Sequence, residues 1–223
     1  AGVRFDDRVT GNVKKFAPNA QIVQIDIDPT SIHKNIPVHC PIVGDCKGAL
    51  AGILKLMKKE TPESLKNDRA PWLAQIDQWK QTTPLKYDQG PKIIKPQYVV
   101  EKLYEATKGE AIITTEVGQN QMWAAQFYHF DKPNHFITSG GLGVMGFGLP
   151  AAIGAKAARP DKMVVDVAGD GSIQMNIQEL MTAIESKLDV KIVILNNRYL
   201  GMVRQWQEFF YDKAYASTNM ENA

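Results

Sequence analysis

Two short apolar runs, each ending in a polar turn, limit what this chain can fold into more than any other feature of its sequence. Met163 to Ala168 reads as a strand and runs directly into Gly169-Asp170-Gly171-Ser172, while Val190 to Leu195 reads as a second strand and runs into Asn196-Asn197. The 24 residues between Gly171 and Asn196 carry a helical pattern over Asn176 to Lys187, so the whole segment fits one βαβ unit. A right-handed crossover with the two strands side by side brings both turns to one sheet edge, with the Asp170 carboxylate across a crevice from the Asn197 carboxamide oxygen. Gly169 and Gly171 let backbone approach a bound group closely. These are hard oxygen ligands. They suit Mg²⁺, which takes six oxygens at about 2.1 Å and commonly draws several of them from water or a bound phosphate. An ion with so few protein ligands expects a diphosphate beside it.

The rest of the chain repeats the same alternation. After Pro96, placed as in a first helical turn, the spacing predicts helix over Gln97 to Thr107, strand over Ala111 to Val117, helix over Met122 to Tyr128, strand over His135 to Thr138 and helix over Leu149 to Ala158. Met202 to Phe210 closes the series as a helix. Such alternation means α/β structure with parallel sheets and helices on both faces, and in such sheets ligands bind at the carboxyl edge of the strands. Nearer the start, Ile22 to Ile27 and Pro41 to Val43 read as strands and Ala49 to Met57 as a helix. Composition shifts near Lys58 and Pro96, so two partial α/β domains, 1–58 and 96–223, are expected around a connector, 59–95. Within the connector, Trp72, Leu73, Ile76 and Trp79 mark one amphipathic helix over Ala70 to Gln81 whose stripe is expected to pack on a core.

Composition excludes several classes of function. With 26 basic against 24 acidic side chains among 223 residues, and the basic ones scattered, no footprint for nucleic acid or an anionic membrane is present. No run approaches the roughly 20 apolar residues of a membrane span. Cys40 and Cys46 are too few for a disulfide framework and lack zinc-ligand spacing, so they read as reduced structural residues of a reducing compartment. The opening Ala1-Gly2-Val3-Arg4 is not a signal peptide, and the chain reads as a fragment of a protein that is not secreted. His33, His39, His129 and His135 show no ligand pairing and are taken as structural or surface residues.

The strand-terminal Gly-Asp-Gly and Asn-Asn pair resembles the signature of the thiamin-diphosphate-dependent decarboxylases and carboligases. Further segments narrow the likeness: Gly118-Gln119-Asn120-Gln121-Met122-Trp123, Ser139-Gly140-Gly141-Leu142-Gly143, Met145-Gly146-Phe147-Gly148-Leu149-Pro150, Gly201-Met202-Val203-Arg204-Gln205-Trp206, and the opening Gly2 to Gly11. Together they resemble the large catalytic subunits of the acetolactate synthase (acetohydroxyacid synthase) family over the whole chain.

The resemblance implies the latter part of a middle FAD-binding domain followed by most of a thiamin-diphosphate-binding domain. It implies that Asp170 and Asn197 hold Mg²⁺ through side chains and Tyr199 through its carbonyl, with Gly118, Gln119, Asn120, Gly169, Gly171, Ser172 and Gly201 about the diphosphate. Met145 would prop the bent cofactor, with Val117, Gly143, Met175 and Met202 around its pyrimidine. Gln119, Asn120, Met145 and Met202 are thus the expected catalytic positions. Holding the aminopyrimidine amine near the thiazolium C2 proton is the protein's part of the chemistry. Asn120 departs from the His of many members, so a carboxamide must donate there, and it cannot change charge near neutral pH.

Gly2, Arg4, Asp6, Arg8, Val9, Asp26, Ile27, Ser31, Asp45 and Cys46 match the family's FAD contacts, although Asp26 and Asp45 also read as ordinary loop carboxylates. Asp7, Met202, Val203, Arg204, Trp206 and Phe210 match a substrate channel that inhibitors also occupy, with core packing the other reading of Trp206. The implied activity decarboxylates pyruvate and joins the two-carbon unit to a second pyruvate or to 2-ketobutyrate, in branched-chain amino acid biosynthesis. The implied assembly is a homodimer or homotetramer with a regulatory small subunit, cytoplasmic, or in a plastid or mitochondrion of a eukaryote. Because the family's activating glutamate lies in a domain this chain does not contain, the fragment alone is not expected to turn over pyruvate.

Two rivals remain. Other thiamin-diphosphate enzymes, such as pyruvate oxidase, glyoxylate carboligase or a 2-ketoacid decarboxylase, share the metal motif. A nicotinamide dehydrogenase would explain Gly141-Leu142-Gly143-Val144-Met145-Gly146 followed twenty residues later by Asp166.

Overall fold

The computed structural model describes residues 1–60 and 64–220, so residues 61–63 of the expected connector and 221–223 of the expected C-terminal domain lie outside it. The chain forms two compact units, Ala1–Pro84 and Leu85–Ala223, dividing inside the expected connector.

The first unit opens with one helical turn, α1 (Asp7–Thr10), followed by β1 (Val23–Asp26), β2 (Cys40–Val43) and α2 (Cys46–Glu60). β1 and β2 pair in parallel, Val23 with Cys40 through Asp26 with Val43. Gln24 is buried in β1, and its side-chain amide donates to the carbonyls of Val3 at 3.1 Å and Ser31 at 3.2 Å, tying the opening segment to the turn after the strand. The Asp45 carboxylate accepts from the Gly48 N–H at 3.1 Å and so caps α2. Cys40 and Cys46 are free, exposed thiols.

Helix α3 (Ser64–Thr82) contains the expected amphipathic stretch, but its stripe does not pack on a core. Trp72, Leu73 and Trp79 are about half exposed, and the two indoles meet edge to face with centroids 5.4 Å apart. The two aromatic rings satisfy each other on a largely exposed helix, which the spacing alone cannot reveal.

The second unit comprises α4 (Pro96–Thr107), β3 (Ile112–Thr115), α5 (Gln119–Phe127), β4 (Phe136–Thr138), α6 (Gly148–Ala158), β5 (Val164–Gly169), α7 (Leu180–Glu185), β6 (Lys191–Leu195) and α8 (Gly201–Phe210). Its four strands form one sheet in the order β4-β3-β5-β6, and every pair is parallel. Both faces are covered, as the sequence pattern predicts. Ile113, Val165 and Val167 point into a core with Val100, Ala124 and Phe127 of α4 and α5, while Ile112 and Val164 pack with Ala152 of α6. Leu149, Ile153 and Ala183 join α6 to α7 on that second side.

One helix differs from its expected form. The stretch before α7, Ile173–Glu179, is a 3-10 segment interrupted at Asn176, whose φ of −136° is not helical. Asn176 Nδ2 donates to the Gly146 carbonyl at 2.8 Å, a bond to a turn 30 residues earlier in the chain. Among the described residues, no helix is long and apolar enough to cross a membrane.

Candidate cofactor site

At the carboxyl edge of the second unit's sheet, the turns after β3, β5 and β6 enclose a pocket of about 220 Å³. β5 and β6 are neighbours in register, with Gly169 opposite Leu195, so the turns carrying Asp170 and Asn197 emerge side by side. The Arg198 N–H donates to Asp170 Oδ2 at 2.8 Å and links the two turns directly. Arg198 takes a left-handed conformation, φ 62°, which turns the chain back over the crevice, and its N–H also reaches Asn196 Oδ1 at 3.1 Å. Asn197 Oδ1 accepts from the Tyr199 N–H at 2.9 Å, and Asn197 Nδ2 lies 3.4 Å from Gln119 Oε1.

Both side chains line the pocket, together with Val117, Gly118, Gln119, Asn120, Gly143, Met145, Gly169, Gly171, Ser172, Tyr199, Gly201 and Met202. Of the positions expected about the thiamin cofactor, Met175 is the one that stands apart. Its side chain is about half exposed, and it packs its Cβ close to Gly146 instead of reaching the pocket wall. Trp123, Leu195 and Leu200 also line the pocket and were not anticipated, and Val203, expected in the substrate channel, lines it as well. Trp123 lies one turn along α5 from Gln119 and Asn120, a helical spacing that could have revealed it.

Two expected phosphate neighbours turn their donors inward. Asn120 is buried, and its Nδ2 donates at 2.8 Å to both the Glu116 and the Val167 carbonyls, so the carboxamide hydrogens expected to face a diphosphate are committed to backbone. The two acceptors fix the amide's orientation. Ser172 is likewise buried, and its hydroxyl donates to Glu116 Oε2 at 2.7 Å. A hydroxyl has one hydrogen to give, so what Ser172 offers the pocket is backbone.

Two buried carboxylates lie behind the pocket, and the motifs pointed to neither of them in this role. Glu116 accepts three hydrogen bonds, from Gly146 N–H, Leu149 N–H and Ser172 Oγ. Asp166 is fully buried on β5 opposite Thr114, which donates to its Oδ1 at 3.1 Å, while Oδ2 has no partner among the described residues. Burial and the nearby Glu116 charge push Asp166 up to about 7, against the smaller lowering effect of the Thr114 bond. Gly148 lies against this pair: a Cβ there would come within 2.3 Å of Asp166 Oδ1 and 2.5 Å of the Glu116 backbone nitrogen. The nicotinamide fingerprint reading fails on the same geometry. Asp166 is sealed inside the sheet beneath α6, whereas a ribose-binding acid must stand at a strand end.

The channel positions divide between the units. Asp7 is exposed in α1 of the first unit, while Met202, Val203, Arg204, Trp206 and Phe210 belong to α8. Trp206 and Phe210 are 52% and 66% exposed, so Trp206 is not a core residue of this unit. The Arg204 guanidinium lies 4.1 Å from the Tyr199 ring centroid and 5.0 Å from that of Tyr215, which turns it toward the C-terminal segment.

In the first unit, Asp26, Ile27, Asp45 and Cys46 gather at the carboxyl ends of β1 and β2, and Gly2 joins them through a 2.8 Å bond from its N–H to the Ile25 carbonyl. Asp26 and Asp45 both accept backbone hydrogen bonds, from Asp28 and Gly48, so each has a structural task of its own. Ser31 lies in the turn after β1, where its carbonyl holds Gln24. Arg4 pairs with Asp6 at 3.1 Å, while Asp6 Oδ1 is buried without a partner among the described residues. Arg8 and Val9 are exposed in α1.

Comparison with known proteins places this geometry in context. Residues 116–223 match the family described as "Thiamine pyrophosphate enzyme, C-terminal TPP binding domain", and residues 1–53 match "Thiamine pyrophosphate enzyme, central domain". The chain is 52% identical over 221 residues to the acetolactate synthase isozyme 3 large subunit of Escherichia coli (strain K12), covering 99% of this chain and 38% of that protein. It is also 52% identical over 221 residues to the acetolactate synthase large subunit of Haemophilus influenzae, again covering 38% of the relative. To the chloroplastic acetolactate synthase of Arabidopsis thaliana it is 52% identical over 217 residues, 97% of this chain and 32% of the relative. The chain therefore spans well under half the length of the curated relatives it matches.

Proposed function

Since the chain belongs to the acetolactate synthase large-subunit family of thiamine pyrophosphate enzymes, we propose that its second unit is the thiamin-diphosphate- and Mg²⁺-binding part of an acetolactate synthase. Residues 1–58 are then part of a FAD-binding domain, and 59–95 join the two. The observation that carries this reading is the pairing of Asp170 and Asn197 on adjacent strand-end turns, tied through the Arg198 N–H.

The donor set fits the group. One carboxylate and one amide oxygen on a shared rim, with the Tyr199 backbone beside them, are ligands for Mg²⁺ with its remaining positions left to phosphate and water. In the first unit, the strand-end carboxylates Asp26 and Asp45 and the unpartnered oxygen of Asp6 suit the donor groups of FAD. When bound, thiamin diphosphate supplies a nucleophilic carbon and an electron sink for decarboxylating a 2-ketoacid.

The chain's own residues hold and orient. Asp170, Asn197 and the Tyr199 carbonyl would hold the metal and through it the diphosphate, with the backbone of Gly171 and Ser172 and the Gln119 side chain around it. Met145 stands half-buried in the pocket wall, where its apolar side chain would meet and orient the cofactor's rings. Met202 and Val203 of α8 provide an apolar wall that limits water near the reacting carbon.

The substrates in this reading are pyruvate and a second 2-ketoacid, pyruvate or 2-ketobutyrate, and the products are acetolactate or acetohydroxybutyrate. The assembly is an oligomer of catalytic subunits with a regulatory small subunit. The test is a product assay on the natural full-length protein with pyruvate, thiamin diphosphate, Mg²⁺ and FAD. Acetolactate is expected, whereas acetaldehyde or acetyl phosphate as main product overturns the assignment in favour of another thiamin-diphosphate enzyme.

A further inference from the structure

Glu116, at the carboxyl end of β3, is fully buried and lies outside the pocket lining. Its Oε2 accepts from the Gly146 N–H at 2.8 Å and the Ser172 hydroxyl at 2.7 Å, and its Oε1 from the Leu149 N–H at 3.0 Å. An unsatisfied carboxylate in such a place would be costly, and here three donors satisfy its oxygens. The donors belong to two separate segments, the turn entering α6 and the loop leaving β5. Ser172 Oγ completes the junction by accepting from the Val117 and Gly146 N–H groups at 3.3 Å.

The Gly146 N–H belongs to the peptide plane that immediately follows Met145. Gly146 sits at φ 83°, where the chain turns in a way few residues adopt, and its carbonyl is held from the other side by Asn176. The carboxylate therefore sets how the Met145 backbone enters the pocket wall. It has no comparable grip on the metal rim, because Asp170 and Asn197 are fixed by bonds from Arg198 and Tyr199.

We propose that Glu116 is a positioning residue for Met145: by anchoring the Met145–Gly146 peptide, it shapes the part of the pocket that receives the cofactor's rings and leaves the metal-borne grip of Asp170 and Asn197 on the diphosphate unaffected. This inference rests on reading the pocket as a thiamin diphosphate site.

Glu116→Gln tests it. The substitution keeps the shape but replaces one acceptor with an N–H₂ group, so a buried donor loses its partner. Calorimetric titrations in Mg²⁺ would use thiamin diphosphate and inorganic pyrophosphate separately, on wild type and variant. Loss of a charge-assisted bond should weaken thiamin diphosphate binding by about tenfold or more and change pyrophosphate binding by less than about twofold. Equal losses on both ligands, no loss on either, or a loss confined to pyrophosphate overturns the proposal. Failure of the wild type to bind thiamin diphosphate defeats the underlying site reading instead. Should Glu116→Gln not fold, Glu116→Asp serves, since it keeps the carboxylate and shortens its reach to the Gly146 and Leu149 N–H groups. A loss of about threefold confined to thiamin diphosphate then supports the proposal, and any other pattern overturns it.

Discussion

The Arg198 N–H donates to Asp170 Oδ2 at 2.8 Å, so the turn leaving β5 and the turn leaving β6 are fastened together within the chain itself. The two oxygen-bearing side chains of the candidate metal site therefore share a rim set by backbone, and an arriving ion meets a largely formed edge. The same bond uses one of the carboxylate's two oxygens, which makes Asp170 both a fastener and a candidate ligand.

Gly148 is irreplaceable on packing grounds. A methyl group there would enter the space of Asp166 Oδ1 and the β3 backbone, and neither the strand nor the buried carboxylate can move aside easily. Gly148→Ala should lower stability by about 3 kcal/mol, as overpacking of a dense interior does. Urea unfolding of the variant beside wild type measures it, and an unchanged midpoint would contradict the packing described.

Asp166 gives folding a definite pH dependence. Its folded value, about 7, lies above that of an exposed carboxylate, so between about pH 4 and 7 the folded state keeps a proton that the unfolded state has released. Its contribution therefore favours folding more as pH falls through that window, and is least favourable above pH 7. The slope approaches about 1.4 kcal/mol per pH unit for one full proton. Asp166→Asn should remove this component, so the variant gains on wild type between pH 5 and pH 8 in denaturant melts. A stability difference that does not vary with pH would sink the assignment.

Asn120 is expected to matter more for folding than for phosphate binding. Both of its amide hydrogens serve buried carbonyls, of Glu116 and Val167. Asn120→Ala should cost about 1–3 kcal/mol of stability because both carbonyls lose a buried bond without gaining water, Val167 keeping only its bond from the Glu116 N–H at 3.1 Å. Affinity for Mg²⁺ with inorganic pyrophosphate should change by less than about twofold, since less than 0.5 kcal/mol is involved. Calorimetry on the folded variant checks the second half, and a large loss there would return Asn120 to the phosphate site.

The parts of this structure that could be read from sequence are those encoded by local period. Alternating strands and helices after Pro96, and the strand-end positions of Asp170 and Asn197, follow from spacing and the handedness of a single crossover. What escaped is what depends on contacts between distant turns. Glu116 meets Gly146, Leu149 and Ser172 across 30 to 56 residues of chain, and nothing near it in sequence marks it as buried. The direction of the Asn120 amide depends on a carbonyl of a neighbouring strand, and the break at Asn176 on a turn 30 residues away. Trp72 and Trp79 show the opposite failure: their period was visible, but it described a pair of rings on an exposed helix and not a core face.

The most direct measurement is calorimetric titration of thiamin diphosphate into the protein with Mg²⁺ and again with excess chelator, on wild type and on Asp170→Ala and Asn197→Ala. Saturable wild-type binding that needs the metal and weakens by at least about tenfold, or 1.4 kcal/mol, in each variant is the predicted result. Wild-type binding that ignores the metal, or variants that bind as wild type does, would contradict it.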